Sequence, residues 1–439
     1  MKRNRARLLT RVLLLLPALL LLIGADRPEG STEAMIPELS ERINAFTLDF
    51  LKVVAKEDSD NAIFSPQSIF HGLAMSYIAS GGETRKELAK ALHFPDDDKQ
   101  LMVDLSKLRQ QLQSAAKEGV IDVSIANAAW LDQRHAKFTD EFTQNLTKGF
   151  GAPVQAIDFQ DGQGASAQIN KWVSEKTHDK IRNVLGPADL VSKSKPDVDV
   201  VDEPALVTVN AVYYKAQWAS RFGKSETEEL LFHPRAGATE KAMFMHQLSL
   251  LPYAENADFK FLEMPYVGGH YSMYVLLPNG ILTANKLVSL LKSETIIELK
   301  RKSFPHEVDV LFPKFEMASH CDAKDVLSKM GVTAAFNSKR ANFDRMIVKN
   351  INAFRIYLSS VYHEGWVEVT EEGTEAAAAT TTVGYSFGCS APPPPPRVQF
   401  HADHPFLFFI VHNDSRSVLF AGWMMNPKGA RQPPGPDGK

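Results

Sequence analysis

Two cysteines in 439 residues exclude a disulfide-built scaffold. Cys321 and Cys389 stand far apart, so there is no Cys-x-x-Cys pair to hold a metal or run thiol exchange. Catalytic strings are missing as well. The chain has no G-x-S-x-G, no H-E-x-x-H and no phosphate-loop sequence, the spacings that would place a nucleophile, a zinc ion or a triphosphate. GQGASA, from Gly162, imitates the start of a dinucleotide fingerprint, but it follows Asp161 in what reads as a polar loop, so a chance match is expected. His401, Asp403 and His404 resemble a metal cluster only superficially: on a strand the two histidines point to opposite faces, which favours a structural role. No cofactor and no enzymatic activity is expected.

Long apolar runs are nearly as scarce. VLLLLPALLLLIG, beginning at Val12 and interrupted by Pro17, falls short of the roughly 20 residues a membrane-spanning helix needs. Lys2, Arg3, Arg5, Arg7 and Arg11 precede it and Ile23-Gly24-Ala25 closes it with small residues, the pattern of a secretory signal peptide over residues 1–25. The expectation is a soluble protein that acts outside the cytoplasm, extracellular or, in a bacterial host, periplasmic. Excess positive charge is absent too. The chain has 49 basic and 52 acidic residues, net −3. Without the five basic residues of 1–25 the balance is 44 against 52, or −8. Such a chain is not built for nucleic acid.

What remains is globular: 44% hydrophobic and 23% charged, enough for a large core. A polar spacer at 26–37 leads into one integrated domain at 38–427, followed by a Pro/Gly tail at 428–439. Three- and four-residue apolar spacing predicts helices in INAFTLDFLKVVA, DLSKLRQQLQSAAK and SAQINKWVSEKTHDKI. A further helix of small residues is expected after Ser65-Pro66, ending at Gly81-Gly82. Strands fit VSIANAAWLD, ALVTVNAVYY, FKFLEMPY, YSMYVLLP and EVDVLFPKF. Near the end, two apolar strands flank the turn residues Asn413-Asp414-Ser415, a buried hairpin. The class is α+β, since the strands lack regular βα spacing. SKSKPDVDVVDEP reads as a loop. Asn145-Leu-Thr and Asn413-Asp-Ser are glycosylation sequons, relevant only in a host that glycosylates.

One stretch fits no single element: EEGTEAAAATTTVGYSFGCSAPPPPP, residues 371–396. Its alanines favour helix, its threonines strand, and its prolines an extended arm. With period two the conflict resolves. Thr374, Ala376, Ala378, Thr380, Thr382, Gly384 and Ser386 form a face on which every residue is small, while Glu375, Val383, Tyr385 and Phe387 share the other. No proline occurs between 373 and 390, so every N–H can join a ladder, and Gly373 lets the chain bend. A middle strand with that small face could slide over a packed core.

Four strings in this order, NAIFSPQSI, NAVYYKAQW, EEGTEAAAAT and FHADHPFLFFI, closely resemble the serpins, across residues 38–427. The resemblance implies a serpin fold: three mostly antiparallel or mixed sheets, about nine helices and an exposed reactive-centre loop at about 371–397. It also implies a strained native state relieved when the loop enters the main sheet. The hinge would be Gly373, Thr374, Glu375, Ala376, Ala377, Ala378 and Ala379. The small size of Gly373, Thr374 and Ala376 to Ala379 points to an inhibitory member rather than a binding or chaperone-like one. The scissile bond, fourteen residues past the hinge glycine, would be Phe387–Gly388, with Tyr385 as an alternative. Either aromatic suits a chymotrypsin-like serine protease, with cross-class inhibition of cysteine proteases as a further reading. Ser65, Ser68, Asn210 and His363 match the family's shutter, and Trp218 its breach. Buried polar groups in apolar segments must in any case bond to one another.

Some features depart from the family pattern. Ala216 stands where a glycine is common. Pro392 to Pro396 lengthen the loop as a stiff arm, Cys389 is read as an exposed thiol, and the proline arm and FHADHPF wording look somewhat like bacterial serpins. Lys107, Arg109 and Lys117 are too scattered among acids and glutamines to make a glycosaminoglycan site. The protein is expected to be a monomer.

Overall fold

Leu39, Ile43, Phe46, Phe50 and Leu51 recur every three or four residues and are all buried. They form the core-facing stripe of α1 (Met35–Val54) in a computed structural model that describes residues 35–57, 59–94, 98–116, 121–134, 138–190, 206–348, 356–374 and 397–429. After β1 (Ala62–Phe64) the Ser65 hydroxyl accepts the Ser68 backbone N–H at 3.2 Å, and Pro66 takes the first helical position. This cap starts α2 (Pro66–Ala79). Every residue of α2 is buried, Phe70 and Tyr77 among them, so the helix lies wholly inside the core. The two glycines that end the expected helix also begin another: α3 (Gly82–Ala91) follows directly, with Gly81 at its N-cap. It is polar on most faces and buries only Thr84, Leu88 and Ala91, a weak signal in sequence.

The chain continues through α4 (Asp98–Ala116), β2 (Ile121–Asp132), α5 (Asp140–Asn145) and β3 (Val154–Ile157) into α6 (Gly162–Lys176). GQGASA is helical and not a polar loop. Asp161 accepts the Gly164 N–H at 3.0 Å, so the string is the first turn of a capped helix. The same helix ends earlier than expected. The Thr177 hydroxyl donates to the Val173 carbonyl at 2.9 Å, and His178 and Asp179 follow with φ of 51° and 62°, outside helical space. Next come α7 (Pro187–Leu190), β4 (Leu206–Gln217), β5 (Glu228–Phe232), β6 (Glu240–Glu255), β7 (Phe259–Pro265), β8 (Tyr271–Pro278), α8 (Ala284–Ser289) and α9 (Thr295–Lys302). The remainder is β9 (Phe304–Pro313), β10 (Phe315–Asp322), α10 (Lys324–Lys329), β11 (Leu358–Val369), β12 (Gly373–Thr374), β13 (Arg397–His401), β14 (Phe406–His412) and β15 (Ser417–Met424).

Among the described residues the strands join in two hydrogen-bonded sets. A six-stranded sheet runs β10-β11-β12-β4-β2-β3, and a nine-stranded one runs β1-β15-β14-β8-β7-β6-β9-β13 with β5 on β6. Two of the three expected sheets are continuous because β6 pairs with β9 from Phe244 to Tyr253 and with β7 from Tyr253 to Glu255. The terminal hairpin is β14 and β15, antiparallel around residues 413–416. VQFH, just before it, instead pairs in parallel with β9.

Side chains alternate along β4. Val207, Val209, Ala211 and Tyr213 pack with Trp130, Ile169, Val173 and Trp366 in a cluster that includes α6. Val212, Tyr214 and Ala216 belong to the main core with α2. The six-stranded sheet is thus sandwiched, and whatever happens between its strands happens between two packed layers.

Candidate functional site

β4 and β11 are parallel neighbours with register from Leu206 opposite Leu358 to Val212 opposite Gly365. Farther along, a third segment lies between them: in β12, Thr374 is opposite both Val369 and Ala216, and Gly373 is opposite Gln217. The sheet is therefore closed at one end and wedged at the other by the first rung of a strand that comes back from β11. Below that rung the rings of Tyr213 and Trp366 stack at 6.2 Å and 13°.

The turn into β12 is tight, with Thr370 N–H donating to the Gly373 carbonyl at 2.8 Å and Gly373 N–H to the Thr370 carbonyl at 3.3 Å. Gly373 has φ +154°, a conformation almost confined to glycine. Thr374 is fully buried, and its hydroxyl pairs with the Tyr266 hydroxyl at 2.8 Å. Tyr266 stacks on Trp218 at 4.5 Å, and the Trp218 indole N–H donates to the Thr370 carbonyl at 3.0 Å. The backbone N–H groups of Trp218 and Phe222 donate to the carbonyls of Glu372 and Glu371. The Glu371 carboxylate accepts from Thr227 at 2.9 Å and Lys314 at 3.0 Å, and Lys224 lies 2.5 Å from Glu372. Burial pushes the Glu371 carboxyl up, but its own backbone N–H, Lys314 and Thr227 outweigh this and hold it below the usual range.

A polar cluster underlies the closed end. The Ser65 N–H donates to His363 Nε2 at 2.9 Å, the Ser68 hydroxyl to Asn127 Oδ1 at 3.3 Å, and Asn210 Nδ2 to the Tyr362 carbonyl at 3.5 Å. Asn210 is in register with Asn127 on β2 and with His363 on β11. All five side chains are buried. Ser65, Ser68, Asn210 and His363 do come together, and Trp218 sits beside the wedge. Gly373 and Thr374 are the wedge. Glu375, Ala376, Ala377, Ala378, Ala379, Tyr385, Phe387 and Gly388 lie outside the described residues, as do Cys389 and the proline arm.

Sequence reasoning missed Asn127, Gly72, Tyr266, Thr227, Lys314 and the clamping role of Glu371. Asn127 had a signal, a lone amide in the apolar string VSIANAAWLD. Gly72 had none: a β-carbon there would fall 2.8 Å from Asn210 Cγ and closer still to its Oδ1. His404 is not on a strand, since β13 ends at His401. Its ring nitrogens face Asp403 Oδ1 at 2.7 Å and the Pro278 carbonyl at 2.9 Å, and the second contact pins the chain after β13 to the end of β8.

This arrangement has close counterparts. A family model described as Serpin (serine protease inhibitor) matches residues 41–427. Human Serpin B3 is 33% identical over 407 residues, covering 89% of this chain and 99% of its own length. The leukocyte elastase inhibitor of Xenopus laevis is 32% identical over 397 residues, with 89% and 99% covered. Among solved structures, the thermophilic serpin tengpin in its native state superposes with a TM-score of 0.76 at 24% identity, over 91% of this chain and 96% of that one, a likeness of fold. With the family model spanning nearly the whole described chain and the wedge and polar cluster in place, the chain belongs to the serpin family.

Proposed function

We propose that this serpin is a secreted suicide-substrate inhibitor of serine proteases with an aromatic-accepting, chymotrypsin-like pocket. The observation that carries the reading is Thr374, a small residue seated between β4 and β11 ahead of a run in which every second residue is small. In this mechanism the protease serine attacks the Phe387 carbonyl, the Phe387–Gly388 bond breaks, and Gly388 leaves with a new amino terminus. Phe387 remains as an ester on the protease. The freed segment then extends β12 between β4 and β11, small face to the core. The protease is dragged and deformed before water can cleave the ester.

Gly373 to Ala379 act as the hinge in this scheme. Ser65, Ser68, Asn210 and His363, with Asn127, are the polar latch beneath the moving strands, and Trp218 with Tyr266 is the seat of the first inserted residue. Residues 1–25 direct secretion. The inhibitor supplies the bait and the strain and contributes no catalytic group.

The test is incubation of the mature protein with chymotrypsin and, in parallel, with an elastase, because an elastase inhibitor stands among the relatives. A denaturant-stable complex with chymotrypsin and a new terminus at Gly388 is expected. A complex with elastase alone, or cleavage at another bond, overturns the specificity. Cleavage at Gly388 with no complex and no gain in thermal stability overturns the inhibitory mechanism.

A further inference from the structure

A strand can enter between β4 and β11 only if the two halves of the six-stranded sheet move apart, and each half continues into a segment outside the sheet. Past β4 the chain runs through Trp218 and Phe222 into the single 3-10 turn Lys224–Glu226. The other half contains β10, which follows β9 across Lys314. His246, on β6, joins these two extensions. Its Nδ1 lies 3.1 Å from Glu226 Oε2 in the turn, and its Nε2 lies 2.9 Å from Asp309 Oδ1 on β9.

Two ionised carboxylates can only accept. A neutral imidazole donates to one of them, and an imidazolium to both. Other titratable groups stand nearby: Glu255, Lys260 and Arg397 line the same surface hollow as Asp309. His401 Nε2, on β13, is 3.9 Å from the other oxygen of Asp309. In the turn, Lys224 reaches Glu372, and Thr227 just beyond reaches Glu371. The turn that His246 holds is therefore the turn that holds the residues just before the wedge.

We propose that protonated His246 is a latch across the two halves of the sheet, slowing strand insertion while Glu226 and Asp309 are both engaged. The inference rests on the insertion mechanism above and adds a control to it. The hydrogen bond to Asp309, opposed by partial burial and reinforced by Glu226, raises the proton affinity of His246 above the ordinary histidine value. Parting the halves returns it to ordinary. The restraint is then complete below the ordinary histidine pKa and is lost as pH rises through the raised one.

The probe is a fluorescent synthetic peptide copying Glu375 to Phe387, added to the intact protein; its rate of uptake by anisotropy reports opening of the sheet without any protease. Between about pH 5 and 9 the wild-type rate is expected to rise on the order of fivefold, the size two partly exposed ion pairs can supply. His246→Gln and, independently, Glu226→Gln should be fast throughout. Should either variant fail to fold, the other carries the comparison. Uptake with the wild-type pH dependence retained in the variants overturns the latch and leaves insertion standing. No uptake at any pH overturns the insertion mechanism, and the latch with it.

Discussion

Gly373 lies flat against Ala216: a β-carbon added at 373 would press into the Ala216 carbonyl oxygen and come within 2.6 Å of the Gln217 α-carbon. Both obstacles are backbone and cannot rotate away. With φ at +154°, alanine is strained there whatever room is made. Gly373→Ala is therefore expected to unseat Thr374 and cost about 2–4 kcal/mol of native stability, read as a lower urea midpoint. With the first rung displaced, more of the variant should be cleaved and released by protease rather than trapped. An unchanged midpoint would show that the wedge is not occupied in solution.

Gly72 and Asn210 make the corresponding close pair at the other end of the opening. Gly72→Ala should push the Asn210 amide from its place above α2 and destabilise by about 2 kcal/mol. Asn210→Ala removes the obstacle. The double variant should then be more stable than the sum of the singles predicts, with a coupling of about 1 kcal/mol or more. Strict additivity would mean that the two residues do not touch.

Much of this site is legible in the sequence where one residue must serve one element. The Ser65-Pro66 cap and the buried helix after it are local, and the period-two sorting of small residues after Gly373 follows from strand geometry alone. Parts that depend on two distant elements are not legible in that way. Nothing local to Lys314 says that it reaches Glu371, and nothing at Gly72 announces Asn210. α3 escaped because a helix with three buried residues has almost no apolar stripe, and Asp161 was misread because a capping aspartate and a loop aspartate look alike until the Gly164 N–H is seen on it. The parallel pairing of Arg397–His401 with β9 is not legible either, because β9 is remote in the chain and leaves no mark on local composition.

Lys314 and Glu371 tie the start of β10 to the segment before the wedge. Lys314→Ala leaves a carboxylate only 7% exposed, with Thr227 and a backbone N–H to hold it. The expected cost near neutral pH is about 1–3 kcal/mol. The Glu371 carboxyl sits below its ordinary range in the native state, so its contribution is present above that range and disappears as pH falls through the lowered value. The difference in urea midpoint between wild type and Lys314→Ala should shrink on acidification over that window. A difference that stays constant would place the effect in packing instead of charge.

Phe387→Arg tests the assigned bond from the protease's side. An aromatic-accepting pocket rejects a guanidinium, so the rate of complex formation with chymotrypsin should fall by about 10–200-fold, while a trypsin-type protease becomes able to form the complex. Tyr385→Arg should leave the chymotrypsin rate nearly unchanged. If instead Tyr385→Arg abolishes it, the bait residue is Tyr385.

His71 and His412 predict how the whole fold responds to acid. His71 is buried in α2 with its Nδ1 2.8 Å from the Gln67 carbonyl, and burial, aided by Arg109, pulls it down to about 4. Burial also brings His412 to about 4, against the pull of Asp414. Both rings are neutral in the native state and bind protons readily once exposed by unfolding. Stability should therefore hold above the ordinary value of 6.5 and decline as pH falls from there toward 4, by up to about 3 kcal/mol for each ring. His71→Gln and His412→Gln should each flatten part of that decline in urea titrations at stepped pH. Because His246 acts in the opposite sense, mild acid should slow insertion while loosening the native state, and the two effects separate by variant: His246→Gln changes the uptake rate and leaves the acid decline in place. A decline abolished by His246→Gln alone would mean that His71 and His412 do not govern it.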